Sequence, residues 1–163
     1  MKNVLIVAAY ARVQRAYDRH LWIWKRHGLP LVVFTELQSP VDGRGEQVIS
    51  LPYCGRDGPA ARTRIVGILD WFSASEFDGA MICEYDAFAL DKEIKVPNGL
   101  HGSVGRNDEP LRFYAPRYVG CPWRLDRGSA RAMFSVAEKY PDLIEDCADD
   151  RFISALAFLS GVP

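Results

Sequence analysis

The spacing of apolar residues changes twice in the first half of this chain. Asn3 to Ala9 form a continuous apolar run, as expected of a strand covered on both faces. Val13, Tyr17, His20, Leu21 and Trp24 then recur at i, i+4, i+7, i+8 and i+11, which predicts an amphipathic helix. Gly28 stops that helix and Pro30 lies just beyond it. Strands are predicted over Leu31 to Thr35 and Gln47 to Leu51, separated by the turn-rich segment Ser39 to Gly45. Pro59 suits the first position of a second helix, whose stripe is Ala61, Ile65, Ile68, Leu69 and Phe72. A short apolar run around Met81 predicts the next strand.

The second half is less regular. Residues Val96 to Pro122 are rich in glycine, proline and aromatics, with short strands expected near Gly102–Val104 and Arg112–Tyr114. Two helices close the chain, about Ser129 to Lys139 and about Asp150 to Leu159. No repeat or linker interrupts residues 1–163. The β-α-β-β-α-β order predicts one α/β domain, a three-layer sandwich around a mainly parallel sheet.

Composition narrows the function. A formal net charge of −1 argues against a sequence-independent grip on nucleic acid. Fifteen of the twenty basic residues are arginine, the better bidentate phosphate ligand, although genomic base composition would produce the same bias. Apolar runs are strand-sized and broken by charge, so no membrane span is expected, and a cytoplasmic location is. Cys54, Cys83, Cys121 and Cys147 contain no C-x-x-C pair and give no zinc or redox signature. His20 and His27 fall within a helical pattern and read as packing or surface residues. His101 sits among glycines, and no other residue of the sequence supports it as a ligand.

The segment Asp78 to Phe88 carries the most chemistry. A turn and an apolar run lead to Glu84 and Asp86, two residues apart. Were the strand to continue, both would project to one side at its carboxyl end, where open α/β sheets place ligands. Paired carboxylates suit a hard divalent cation that also takes phosphate oxygens. The alternative is a polar strand end followed by a solvated turn.

Several segments, in this order, resemble the nucleotide-diphosphosugar transferases of the Rossmann-like GT-A fold. Val4 to Tyr10 resembles the opening strand that cradles the base. Gly58 to Ile68 resembles the Gly-x-x-x-Ala-Arg-Asn helix. Glu84-x-Asp86 resembles a variant of the Asp-x-Asp motif, with glutamate where aspartate is commoner. Gly120 to Ala130 is similar to the glycine-led segment before the acceptor-side helix, and Asp149 to Ala157 to the late acidic helix start. The chain is short for such an enzyme, and no histidine after His101 can serve as the late metal ligand that many members use.

The resemblance implies a nucleotide-sugar-binding half over about residues 1–90 and an acceptor-side half over about residues 91–163. It implies a glycosyltransferase with Mn²⁺ or Mg²⁺ on Asp86 and Glu84, and a nucleoside diphosphate sugar as donor, UDP being the commonest base. Donor contacts would come from Ala8, Tyr10, Arg12, Glu36, Arg62, Arg64, Glu84 and Tyr85. Asp150, ahead of Asp149, would be the base, with one of the pair capping the last helix. Trp123 and Gly120 would border the acceptor, with a core tryptophan as the alternative for Trp123; Tyr114 and Tyr118 belong to the same region. The acceptor is open between a glycan, a protein, a small molecule and a modified nucleobase, and stereochemistry is open too. Two other readings stand beside this one: a non-catalytic nucleotide- or sugar-binding domain, and a metal-dependent nucleotidyltransferase. The absence of a Gly-x-x-x-x-Gly-Lys-Ser/Thr loop removes P-loop kinases.

Overall fold

The computed structural model describes residues 1–54, 58–89, 93–106, 117–141 and 148–163. Among these, six strands form one sheet in the order β3-β2-β1-β4-β6-β5. They are β1 (Asn3–Ala8), β2 (Leu31–Glu36), β3 (Gln47–Leu51), β4 (Gly79–Glu84), β5 (Leu100–Arg106) and β6 (Arg117–Asp126). Four helices accompany them: α1 (Gln14–Lys25), α2 (Gly58–Ala74), α3 (Arg127–Lys139) and α4 (Asp149–Ser160).

Alternation along β1 explains the layers. Val4, Ile6 and Ala8 face one way and pack with Ile65, Ile68, Leu69 and Phe72 of α2, and with residues of α3 and α4. Leu5, Val7 and Ala9 face the other way and meet Tyr17 and Trp24 of α1. β1 is therefore buried on both sides, which is why its sequence shows no polar alternation. β3, at the sheet's edge, is largely exposed.

The expectation of a mainly parallel sheet is corrected. β3, β2, β1 and β4 pair in parallel, but β6 runs antiparallel to both β4 and β5, so the sheet is mixed. The reason lies in Gly102, Gly105, Gly120 and Pro122, which obscure the two strands in sequence. Such residues are tolerated at sheet margins and irregularities, and the β5–β6 pairing shifts register between His101 and Ser103. The expected strand near Gly102–Val104 lies within β5. The one expected at Arg112–Tyr114 lies outside the described residues. No described helix is long and apolar enough to cross a membrane.

Gly28 and Gly161 close α1 and α4 with φ of +65° and +70°, a conformation that side chains with a Cβ resist. Asp126 caps α3 by accepting the Ser129 backbone N–H at 3.0 Å, and it also accepts Gly99 N–H at 2.7 Å. Burial alone would raise its pKa. Hydrogen bonds from the Ser129 hydroxyl and from the Gly99, Ser129 and Gly128 backbones together outweigh burial and hold the carboxyl below the usual range. A depressed folded value means that the contribution is present above the unfolded carboxylate range and is lost as pH falls through the folded value. Asp126→Ala is expected to cost about 1–2 kcal/mol at neutral pH. Thermal unfolding should show the difference from wild type narrowing as the pH falls below the ordinary carboxylate range.

Candidate functional site

The parallel strands define a carboxyl edge, and the strand order reverses there between β1 and β4. β1 leads through α1 to β2 on one side, and β3 leads through α2 back to β4 on the other. Such a switch point leaves a crevice beyond the strand ends, the place where open α/β sheets receive ligands. Tyr10 follows β1 and Tyr85 follows β4, and their rings meet edge to face with centroids 6.0 Å apart. Ala8 lies buried at the end of β1, and Arg12 is exposed just beyond.

Beneath this rim sits a buried ion cluster. Arg64, 3% exposed, projects from α2 and places Nη2 2.9 Å from Glu84 Oε1 at the end of β4. The same nitrogen donates to Asp149 Oδ2 at the start of α4. Glu84 and Asp149 are themselves 7% and 6% exposed. Arg64 Nε is buried without a hydrogen-bond partner among the described residues. One guanidinium thus ties three elements together and is shared by two carboxylates. The pairing spans eighty-five positions of sequence, and no local pattern could have announced it.

Glu84 and Asp86 do not share a side. β4 ends at Glu84, and the Ala87 N–H returns to the Glu84 carbonyl at 3.0 Å, closing a turn. The two-residue alternation therefore stops before Asp86, which is exposed while Glu84 is buried. Mn²⁺ or Mg²⁺ clamped between the two carboxylates does not fit this arrangement, because Glu84 is already committed to Arg64 beneath the surface. Among the described residues no group of three histidine, cysteine or acidic side chains is placed to hold a metal ion.

The turn after β4 is fastened from α1 and its C-cap residue Arg26. Tyr85 O lies 2.9 Å from His20 Nδ1, Ala87 O accepts Trp24 Nε1 at 3.1 Å, and Ala89 O accepts Arg26 Nη2 at 3.1 Å. His20, read from sequence as packing or surface, is thus one of three side chains holding the carboxyl rim. Its place in the apolar stripe of α1 was the only signal.

The remaining candidates divide. Glu36 ends β2 and accepts the Cys54 N–H at 3.4 Å. Arg62 is drawn to the end of α3, donating to Ala137 O at 3.1 Å and lying over the Phe152 ring at 5.4 Å. Those contacts serve packing between helices rather than a phosphate. Trp123 is 1% exposed, and its Nε1 donates to Val119 O at 2.6 Å. It is a core residue and has no face to offer a sugar. Gly120 lies close under α4: a Cβ there would come within 2.6 Å of Ser103 Oγ and 3.8 Å of Asp150 Oδ2. Neither Asp149 nor Asp150 is the N-cap of α4; that position is Ala148. Asp149 Oδ1 accepts the Asp150 N–H at 2.9 Å, and the carboxylate of Asp150 stands beside β6. Tyr114, Glu145, Asp146 and Cys147 lie outside the described residues, as does the side chain of Tyr118.

Cysteine chemistry is disfavoured at this edge. Burial pushes the Cys54 and Cys83 thiols up to about 12 and raises Cys121 well above its ordinary value, so all three stay protonated at neutral pH. The fold and edge define an α/β domain with a rim of tyrosines over buried charge. No protein-family model matches the chain, and no curated protein matches it significantly.

Proposed function

We propose that this chain binds a nucleoside diphosphate sugar at the carboxyl edge between β1 and β4 and transfers its glycosyl group. The observation that carries this reading is the convergence, at the switch point, of Tyr10 and Tyr85 above Arg64, Glu84 and Asp149. Tyr10 and Tyr85 offer aromatic surface to the base. Arg12 and the amino end of α2 supply positive charge for the diphosphate. Glu84 and Asp149 stay in the ion cluster and hold the frame. Asp150 takes the proton from the acceptor hydroxyl as that oxygen attacks the anomeric carbon and the diphosphate departs.

One observation favours a second reading, a non-catalytic nucleotide- or sugar-binding domain: both Glu84 and Asp149 are tied to Arg64. Calorimetric titration with UDP, with and without Mn²⁺, tests the shared element of both. Saturable binding is expected without the metal, weakened about tenfold in Tyr85→Ala and in Arg12→Ala. Absence of binding by UDP, GDP, CDP and dTDP would sink the diphosphosugar assignment. A strict need for Mn²⁺, lost in Asp86→Asn, would show instead that the cation is held at Asp86.

A further inference from the structure

The outward line of α1 is a charged surface that the carboxyl rim does not use. Tyr17 and Trp24 of α1 are wholly buried against the sheet. At 3.6 residues per turn, Arg15, Arg19, Trp22 and the C-cap residue Arg26 recur at i, i+4, i+7 and i+11, on the opposite side of the helix. All four are exposed, Trp22 at 65%. Among the described residues neither Arg15 nor Arg19 makes a hydrogen bond or an ion pair. Arg26 is turned to Ala89 O at 3.1 Å, so the available line is Arg15, Arg19 and Trp22.

The acid nearest this line is already engaged. Asp18 is the only carboxylate among residues 12–26, and Arg44 donates to its two oxygens at 3.0 and 2.8 Å. Lys25 is paired with Glu46. Residues 12–26 hold four arginines and one lysine against that one aspartate, in a chain of net charge −1, so the remainder is net negative. A lone exposed aromatic is ordinary. Here the indole shares its line with two unpaired guanidiniums, three and seven residues before it.

We propose that this face docks on the surface of an anionic lipid bilayer, with Arg15 and Arg19 on headgroup phosphates and the Trp22 indole in the interface. A guanidinium matches paired phosphate oxygens, and a tryptophan ring settles at headgroup depth. The apolar side of α1 is committed to the sheet, so the helix lies on the bilayer and does not enter its core. Attachment is electrostatic and reversible, each arginine contributing about fivefold in affinity. The same surface repels the net-negative remainder, which turns α1 toward it. A single-stranded nucleic acid would need a groove with successive aromatic platforms, whereas this line is the convex side of a helix with one indole.

The inference does not depend on the transferase reading, and its test uses no nucleotide sugar. The protein is sedimented with vesicles of equal parts phosphatidylglycerol and phosphatidylcholine, and with phosphatidylcholine alone, while tryptophan emission is followed. Partition onto the anionic vesicles is expected, with a blue shift, and it should fall as salt rises. Arg15→Gln/Arg19→Gln, at exposed positions that carry no fold contacts, should weaken partition about 20-fold. Trp22→Ala should weaken it several-fold and remove the blue shift, and Trp22→Tyr should keep most of the affinity. Absence of partition onto the anionic vesicles would overturn the proposal. So would equal partition onto phosphatidylcholine alone, unchanged partition in Arg15→Gln/Arg19→Gln, or tighter binding to an oligothymidylate strand at the same salt.

Discussion

Arg64→Met is expected to destabilise the fold by about 3–5 kcal/mol, because it strands two buried carboxylates without their counter-charge. Glu84 and Asp149 both sit under 10% exposure and both reach the same nitrogen. Removing one partner of a buried pair costs far more than the pair itself contributes, since the remaining charge stays desolvated. Against a total stability of about 5–15 kcal/mol, that loss is a large share. In urea it should move the midpoint by on the order of 2 M. Arg64→Met/Glu84→Gln/Asp149→Asn removes all three charges together, and denaturation should return much of the loss. A midpoint for Arg64→Met within a few tenths of a molar of wild type would show that the cluster is not the tie described above.

Asp150→Asn is expected to lower glycosyl transfer by about 10²- to 10⁴-fold, the usual weight of a positioned general base. UDP release from a UDP-sugar, with water as acceptor, provides the readout without knowledge of the natural acceptor. UDP affinity by calorimetry should stay within about twofold of wild type, because the base acts on the acceptor hydroxyl. Asp149→Asn separates the neighbours: its effect should appear first as lost stability, through Arg64. Equal turnover in Asp150→Asn and wild type would remove Asp150 from the chemistry. No turnover in either, with UDP bound, would favour the non-catalytic domain.

Local periodicity and turn punctuation made β1, α1, β2, β3, α2, β4, α3 and α4 legible, and all but the exposed edge strand β3 bury residues whose spacing matches their geometry. β5 was legible only over Gly102–Val104, and β6 was the failure. Their glycines and Pro122 serve a bulged, marginal pair of strands, yet in sequence they read as loop. Site residues divide the same way. Tyr10, Tyr85 and Glu84 could be placed at the carboxyl edge because strand ends can be located from apolar runs. The partnership of Arg64 with Asp149 was not, since it depends on how α2 and α4 come together over the sheet. Trp123 shows the opposite error: an aromatic after Gly-Cys-Pro looks available until the sheet places it under α4. Asp86 was misjudged by assuming two more residues of strand than Glu84 allows.

The grip of α1 on the three alternate carbonyls of Tyr85, Ala87 and Ala89 has a thermodynamic meaning of its own. A ligand-bearing loop left loose must surrender its freedom at the moment of association, and that entropy is subtracted from affinity. Here the indole and imidazole of α1 and the guanidinium of its C-cap residue Arg26 already hold the backbone on either side of Asp86. The ordering is done when the chain folds, so a ligand taken up at this rim, as proposed above, would bind without the cost of loop closure.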